Sequence, residues 1–318
     1  LKMRKLKIKF VDFWGGFQPT NNFFWNQLTN YFHLELSDTP DILFYSVFGN
    51  ENQSYSCYRI FYTGENIRPD FRLCDIALSF DYNTHPAHIR LPLYTRLFDL
   101  NQLKIEYRKA KIYPQKSKFC CMVVSNPDCK FRNEFFKKLS EYKQVDSGGR
   151  YMNNIGYAVA NKADFIKDYK FVISFENSEY PGYTTEKIVE PLLCGSIPIY
   201  WGNPLIHKEF NTKSFVNIYD FKNIVEVIEY IRKIDSNDEL FYKIQLESGL
   251  VNNELKNEQD SVKVCEAFYD AICKMISKPP VSKKMMFKKI MFIDNLKQNR
   301  SYRRLLKIKK YLKKYSIK

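Results

Sequence analysis

The chain has 318 residues, 45% apolar and 16% aromatic, enough material for two globular units at ~100–200 residues per domain. Its formal charge of +15 is uneven: residues 283–318 hold fourteen Lys or Arg against one acid, Asp294, so this tail carries +13 and the rest is close to neutral. A duplex-binding surface would have to come almost wholly from the tail, and the 26 Phe and 23 Tyr are expected in cores rather than as stacking platforms for bases.

Charges interrupt the apolar residues of the opening Leu1 to Phe10, so neither a secretory signal nor a membrane span is predicted there, and a cytosolic location is expected. Short apolar runs between turns predict strands over 8–14, 42–48, 59–63, 76–80 and 88–94. A helix over 22–32 would offer Phe23, Leu28 and Phe32 to one buried side. Together these define an N-terminal α/β domain over 1–100, followed by a polar, Lys-rich linker over 101–118 that contains Pro114. A second alternation then begins: strand 119–124, helices 132–142 and 162–169, strand 171–175, helix 184–194 and strand 197–201. Gly195 and Pro198 supply the stop signals after the last of these helices. Helices over 224–234 and 262–276 complete a C-terminal α/β domain over 119–280. In the tail, 281–318, Leu305, Ile308, Leu312 and Tyr315 recur at helical spacing among Lys307, Lys309, Lys310, Lys313 and Lys314. Such a basic amphipathic helix suits an anionic membrane surface, and places the protein peripherally on the inner face of the membrane.

The eight cysteines form no C-x-x-C pair and none has a histidine at zinc spacing, which predicts reduced thiols. His33, His85, His88 and His207 show no metal spacing either, and no isolated Asp-x-Asp is present, so chemistry without an essential metal is expected.

The most informative run is Phe171 to Gly202, in which an apolar strand enters a polar loop, 176–182, that feeds a helix. The first turn of that helix holds Thr184, Thr185, Glu186 and Lys187. Free backbone N–H groups at a helix start favour anions, and Lys187 adds a full charge, so a diphosphate fits this place. Lys187 opposes the helix dipole there, a sign that something anionic compensates it. Glu186 can accept hydrogen bonds from a ribose diol. The same residues would equally form a capped helix with two solvated charges.

Phe175-Glu-Asn-Ser, Gly182-Tyr-Thr-Thr-Glu-Lys-Ile and Ile197-Pro-Ile-Tyr-Trp-Gly resemble the donor signature of the α-1,3-fucosyltransferases of glycosyltransferase family 10. Tyr62-Thr-Gly-Glu-Asn66, Ser125-Asn-Pro with Arg132-Asn, and Ser147-Gly-Gly149 fall in that family's order. The resemblance covers roughly residues 5–275 and is nearest to bacterial members, notably those of Helicobacter. It implies a GT-B fold of two Rossmann-like domains facing a central cleft, the N-terminal one on the acceptor side and the C-terminal one binding GDP-fucose. By that resemblance Arg132 and Lys187 grip the diphosphate, while Asn177, Tyr183 and Glu186 line the nucleotide and ribose pocket. Glu65 becomes the general base of an inverting transfer to O3 of GlcNAc in an N-acetyllactosamine-type acceptor. Inversion needs one base, and the cations at Arg132 and Lys187 replace a general acid because the leaving phosphate is already a weak base. The departure from the family is Glu179-Tyr-Pro, in the loop between Asn177 and Gly182. Two rivals remain at this level: another GT-B transferase with a different donor or linkage, and a nucleic-acid-binding protein, which leaves Glu186 and Lys187 without a purpose.

Overall fold

Strand β1 (Arg4–Val11) leads into helix α1 (Phe23–Leu28), then strands β2 (Phe32–Leu36), β3 (Ile42–Tyr45), β4 (Tyr58–Tyr62), β5 (Ile76–Ser79) and β6 (His88–Arg90). They form one six-stranded sheet in the order β2-β1-β3-β4-β5-β6, with β1–β2, β1–β3 and β3–β4 all parallel. These coordinates are a computed structural model that describes residues 3–280. The amphipathic tail expected over 281–318 lies outside the described residues.

By contacts the described chain divides into two units, the first made of residues up to Tyr62, Pro69–Ala77 and a segment that begins at Tyr269. Its β3 is buried at all four positions, as a strand covered on both faces must be, and so reads as an unbroken apolar run. Phe10 stacks on Phe44 at 4.9 Å, whereas Leu43 and Tyr45 pack with Val11, Phe61 and Ala77. Helix α1 starts where the sequence predicts, with the Asn22 side chain accepting the Trp25 N–H, but it ends at Leu28 rather than 32. Phe32 is buried as the first residue of β2, paired with Arg4, so its helical spacing from Leu28 is coincidental.

The second unit comprises Thr63–Arg68 and Leu78–Phe268. After β6 come α2 (Leu93–Leu97), α3 (Ile105–Ala110), β7 (Lys118–Met122), α4 (Lys130–Tyr142), β8 (Val145–Ser147), α5 (Lys162–Ile166), β9 (Tyr169–Phe175), α6 (Glu186–Leu193), β10 (Ile197–Trp201), β11 (Val216–Asn217), α7 (Ile224–Asp235), α8 (Asp238–Gln245) and α9 (Ser261–Ile276). Its five-stranded sheet, β11-β10-β9-β7-β8, is parallel throughout. Phe171, Ile173 and Phe175 of β9 enter a core shared with Phe135 and Leu139 of α4 and Val227 and Ile231 of α7. Ile188, Val189 and Leu192 of α6 pack with Leu100 and Leu103 in another core.

The stretch expected as a linker is therefore structured. Leu103 is buried in that second core, and the fully buried Arg108 of α3 donates to the carbonyls of Leu192 and Gln245. The contact boundary also differs from the expected one at residue 100, since 63–68 and 78–100 group with the second unit. Composition marks 101–118 as polar, but two of the Arg108 guanidinium nitrogens find backbone carbonyls inside. Among the described residues no helix is long and apolar enough to cross a membrane, and all eight cysteines are free thiols.

Candidate active site

In the second sheet β7 lies between β8 and β9, so the crossovers leave in opposite directions at the β7/β9 boundary. In open α/β sheets ligands gather beyond the carboxyl ends of strands at such a switch point. The segments leaving β7 and β9 meet here through two of the expected residues. Arg132, in the first turn of α4, donates through Nη1 to Asn177 Oδ1 at 3.0 Å and through Nη2 to the Asn126 carbonyl. Its side chain is fully buried, and its Nε has no partner. Burial lowers the pKa of the guanidinium against the opposing pull of Cys129 and Glu176.

Glu176, the residue just after β9, is wholly buried. Its carboxylate accepts the Thr185 N–H at 2.8 Å, the Thr185 hydroxyl at 2.8 Å and the Lys187 ammonium at 3.0 Å. Thr185 stands at the N-cap of α6, but its side chain caps no helix N–H because it is turned to Glu176. The helix therefore begins at Glu186 rather than at 184. Space for the carboxylate comes from Gly202, at φ +146°, where a Cβ would sit 2.4 Å from the Glu176 Cγ.

Lys187 also lies 3.5 Å from Glu186, so one ammonium serves two carboxylates. Burial would lower the Lys187 pKa, yet Glu176 and Glu186 together raise it. Burial would raise Glu186, but Lys187 and then Lys162 hold it below the usual carboxylate value. For Glu176 burial prevails, and Glu186 adds to the upward shift that Lys187 only partly offsets. Two carboxylates thus face one ammonium before the Arg132 guanidinium is counted.

Tyr183 is buried beside this cluster with its ring edge-on to Phe80 at 5.0 Å. Burial raises its phenol pKa, and Glu176 and Glu65 add to the rise. The preceding Gly182 (φ +85°) donates its N–H to Asn203 Oδ1 at 2.8 Å, and a Cβ there would press on the Phe80 carbonyl and the Tyr82 ring. Asn203 in turn donates to Thr184 Oγ1 and to Glu209 Oε1. The buried Glu209 accepts from Tyr82, Arg90 and Tyr94 as well, so the turn into α6 hangs on a fully satisfied polar network.

Glu65 is exposed, in the Thr63–Arg68 segment that belongs to this unit. Its N–H donates to Thr63 Oγ1 at 2.9 Å, and its neighbour Asn66 donates to Ser178 Oγ at 2.6 Å. The structure thus gathers Arg132, Asn177, Tyr183, Glu186 and Lys187 at the ends of β7 and β9, and ties the Glu65 segment to the same loop. Sequence reasoning missed Glu176, Asn203, Glu209 and Arg90. Only Glu176 carried a signal, as a lone carboxylate ending an apolar strand; Glu209 and Arg90 meet through the fold alone. Among the described residues no three His, Cys, Asp or Glu side chains gather as a metal site.

A sequence profile of glycosyltransferase family 10 (fucosyltransferase), C-terminal part, matches residues 113–291, and one of the α-(1,3)-fucosyltransferase FucT N-terminal domain matches residues 8–97. The chain belongs to glycosyltransferase family 10. α-(1,3)-Fucosyltransferase FucT of Helicobacter pylori is 32% identical over 288 residues, covering 77% of this chain. The chain spans 60% of that relative's length. The crystal structure of an α1,3-fucosyltransferase with GDP-fucose superposes with a TM-score of 0.71 at 29% identity, covering 85% of this chain and 91% of the other. A mouse 4-galactosyl-N-acetylglucosaminide 3-α-L-fucosyltransferase 9 is 33% identical over 135 residues, 40% of this chain and 36% of its own length. The fold is accordingly α/β of the GT-B type, with two parallel, Rossmann-like sheets.

Proposed function

We propose that the protein transfers L-fucose from GDP-β-L-fucose, with inversion, to O3 of GlcNAc in a Galβ1-4GlcNAc-type acceptor. The observation that carries this reading is the cluster of Arg132, Asn177, Glu176, Glu186 and Lys187 at the β7/β9 switch point of a family 10 chain. Arg132 and Lys187 supply the cations that receive charge as GDP departs, and Glu186 accepts the ribose hydroxyls. Glu65 takes the proton from the acceptor hydroxyl as that oxygen forms the bond to C1 of fucose, while the bond from C1 to the phosphate oxygen breaks. No metal is assigned a role. The GDP-fucose complex of the structural neighbour and the acceptor in the mouse relative's name support the choice of substrates. The basic residues of 283–318 are proposed to hold the protein on an anionic inner-membrane surface.

The test is transfer from GDP-fucose to N-acetyllactosamine, without added metal, by the wild type and by Glu65→Ala and Lys187→Ala. General-base loss is expected to lower kcat by ~10²–10⁴-fold in Glu65→Ala. Wild-type rates in that variant would remove Glu65 from the mechanism. A wild type that binds GDP but leaves the acceptor untouched would overturn the acceptor or the sugar and leave the nucleotide site standing.

A further inference from the structure

Glu65 is proposed above as the base, yet its carboxylate makes no hydrogen bond among the described residues, so its placement depends on the backbone that carries it. That backbone is tied down on both sides. Before it, the Thr63 hydroxyl accepts the Glu65 N–H; after it, Arg68 donates through Nη1 to the Asn66 side-chain oxygen at 2.5 Å and through Nη2 to the Asn66 carbonyl at 3.2 Å. Asn66 then donates to Ser178 Oγ at 2.6 Å, across 112 residues of chain. The Arg68 guanidinium lies 3.5 Å over the ring of Tyr180, at a separation where a cation over an aromatic face is attracted. Tyr180 is itself fixed, its N–H donating to the Gly202 carbonyl and its carbonyl accepting the Tyr183 N–H, both at 3.0 Å.

We propose that Asn66, Arg68, Ser178 and Tyr180 form a clasp of positioning residues that sets the Glu65 carboxylate against the donor loop between Glu176 and Tyr183. The inference rests on the role given to Glu65 above. It gives a purpose to the Asn of Tyr-Thr-Gly-Glu-Asn66 and to the Glu179-Tyr-Pro loop, neither of which the reaction itself uses. The same loop that begins at the nucleotide cluster holds the base segment, so base and donor are placed by one element. Small misplacement of a reacting group costs up to ~10²-fold in rate.

The experiment compares full-chain Ser178→Ala, Arg68→Lys, Tyr180→Leu and Tyr180→Phe in transfer kinetics and GDP binding, alone and combined with Glu65→Ala. Ser178→Ala, Arg68→Lys and Tyr180→Leu are expected to lower kcat on the order of tenfold, with GDP affinity within about twofold of wild type. Tyr180→Phe, which keeps the ring, is expected to keep the wild-type rate. In the Glu65→Ala background the three damaging variants should add no further loss, because they act through Glu65. Equal loss in that background, unchanged kcat, or a fall in GDP affinity that matches the fall in rate would overturn the clasp while leaving the proposed reaction intact. Wild-type transfer by Glu65→Ala itself would overturn the base, and the clasp with it.

Discussion

Lys187 sits between Glu176 and Glu186, which favour its charged form, and the two carboxylates share this one ammonium. Its place against the helix dipole called for an anion, and the chain supplies one in Glu176 without waiting for a ligand. Removing one partner of a buried pair leaves the other charge uncompensated, at a cost of ~3–5 kcal/mol. Glu176→Gln is therefore expected to destabilise the protein by about 3 kcal/mol in urea denaturation, against at most about 1 kcal/mol for an exposed pair such as Arg72 with Asp70. A loss below 1 kcal/mol would mean that Thr185 and Glu186 suffice for Lys187. Glu186 and Lys187 stood out because their types fall in the first turn of a predicted helix, whereas Asn177 and Tyr183 were singled out through the family resemblance alone. Glu176 was visible in the same run, but its burial was not, since only the glycine at 202 makes room for it.

At the scale of elements, strands with four or more apolar residues and helices with full amphipathic turns lie close to where the sequence predicts them. The two- and three-residue strands β11 and β8 were missed because they are too short to show a period of two. Helix α8 was missed although Asn237 caps it, because its apolar stripe is short and broken by Tyr242, which is exposed. Nothing local marks Arg90 and Glu209 as partners either, because 119 residues separate them. Their ion pair, at 2.8 Å with Glu209 1% exposed, anchors Asn203 and through it the turn into α6. Glu209→Ala should cost about 3 kcal/mol, because it leaves the buried Arg90 with only the longer 3.4 Å pairing to Glu258 and takes the acceptor from the Tyr82 and Tyr94 hydroxyls. The paired variant Arg90→Met with Glu209→Leu should recover most of that loss, as replacing both charges removes the desolvation penalty. Failure of the double variant to recover any stability would show that the hydroxyls of Tyr82 and Tyr94, rather than the charge pair, dominate the network.

Across the whole molecule the alternation of strands and helices pointed to an α/β class, and the resemblance of the motifs pointed to the family and its GT-B fold. Residues 63–68 follow β4 of the first sheet yet group by contacts with the second unit, where Asn66 meets Ser178 across 112 residues, and no local signal marks such a return. Calorimetric titration of the full chain with GDP probes the nucleotide site proposed at the β7/β9 switch point. GDP is expected to bind saturably, at least tenfold more weakly to Lys187→Ala and equally to Glu65→Ala, since a charge-assisted bond to a phosphate oxygen is worth ~1.5–3 kcal/mol. Absence of GDP binding by the wild type, or equal affinity in Lys187→Ala, would contradict it.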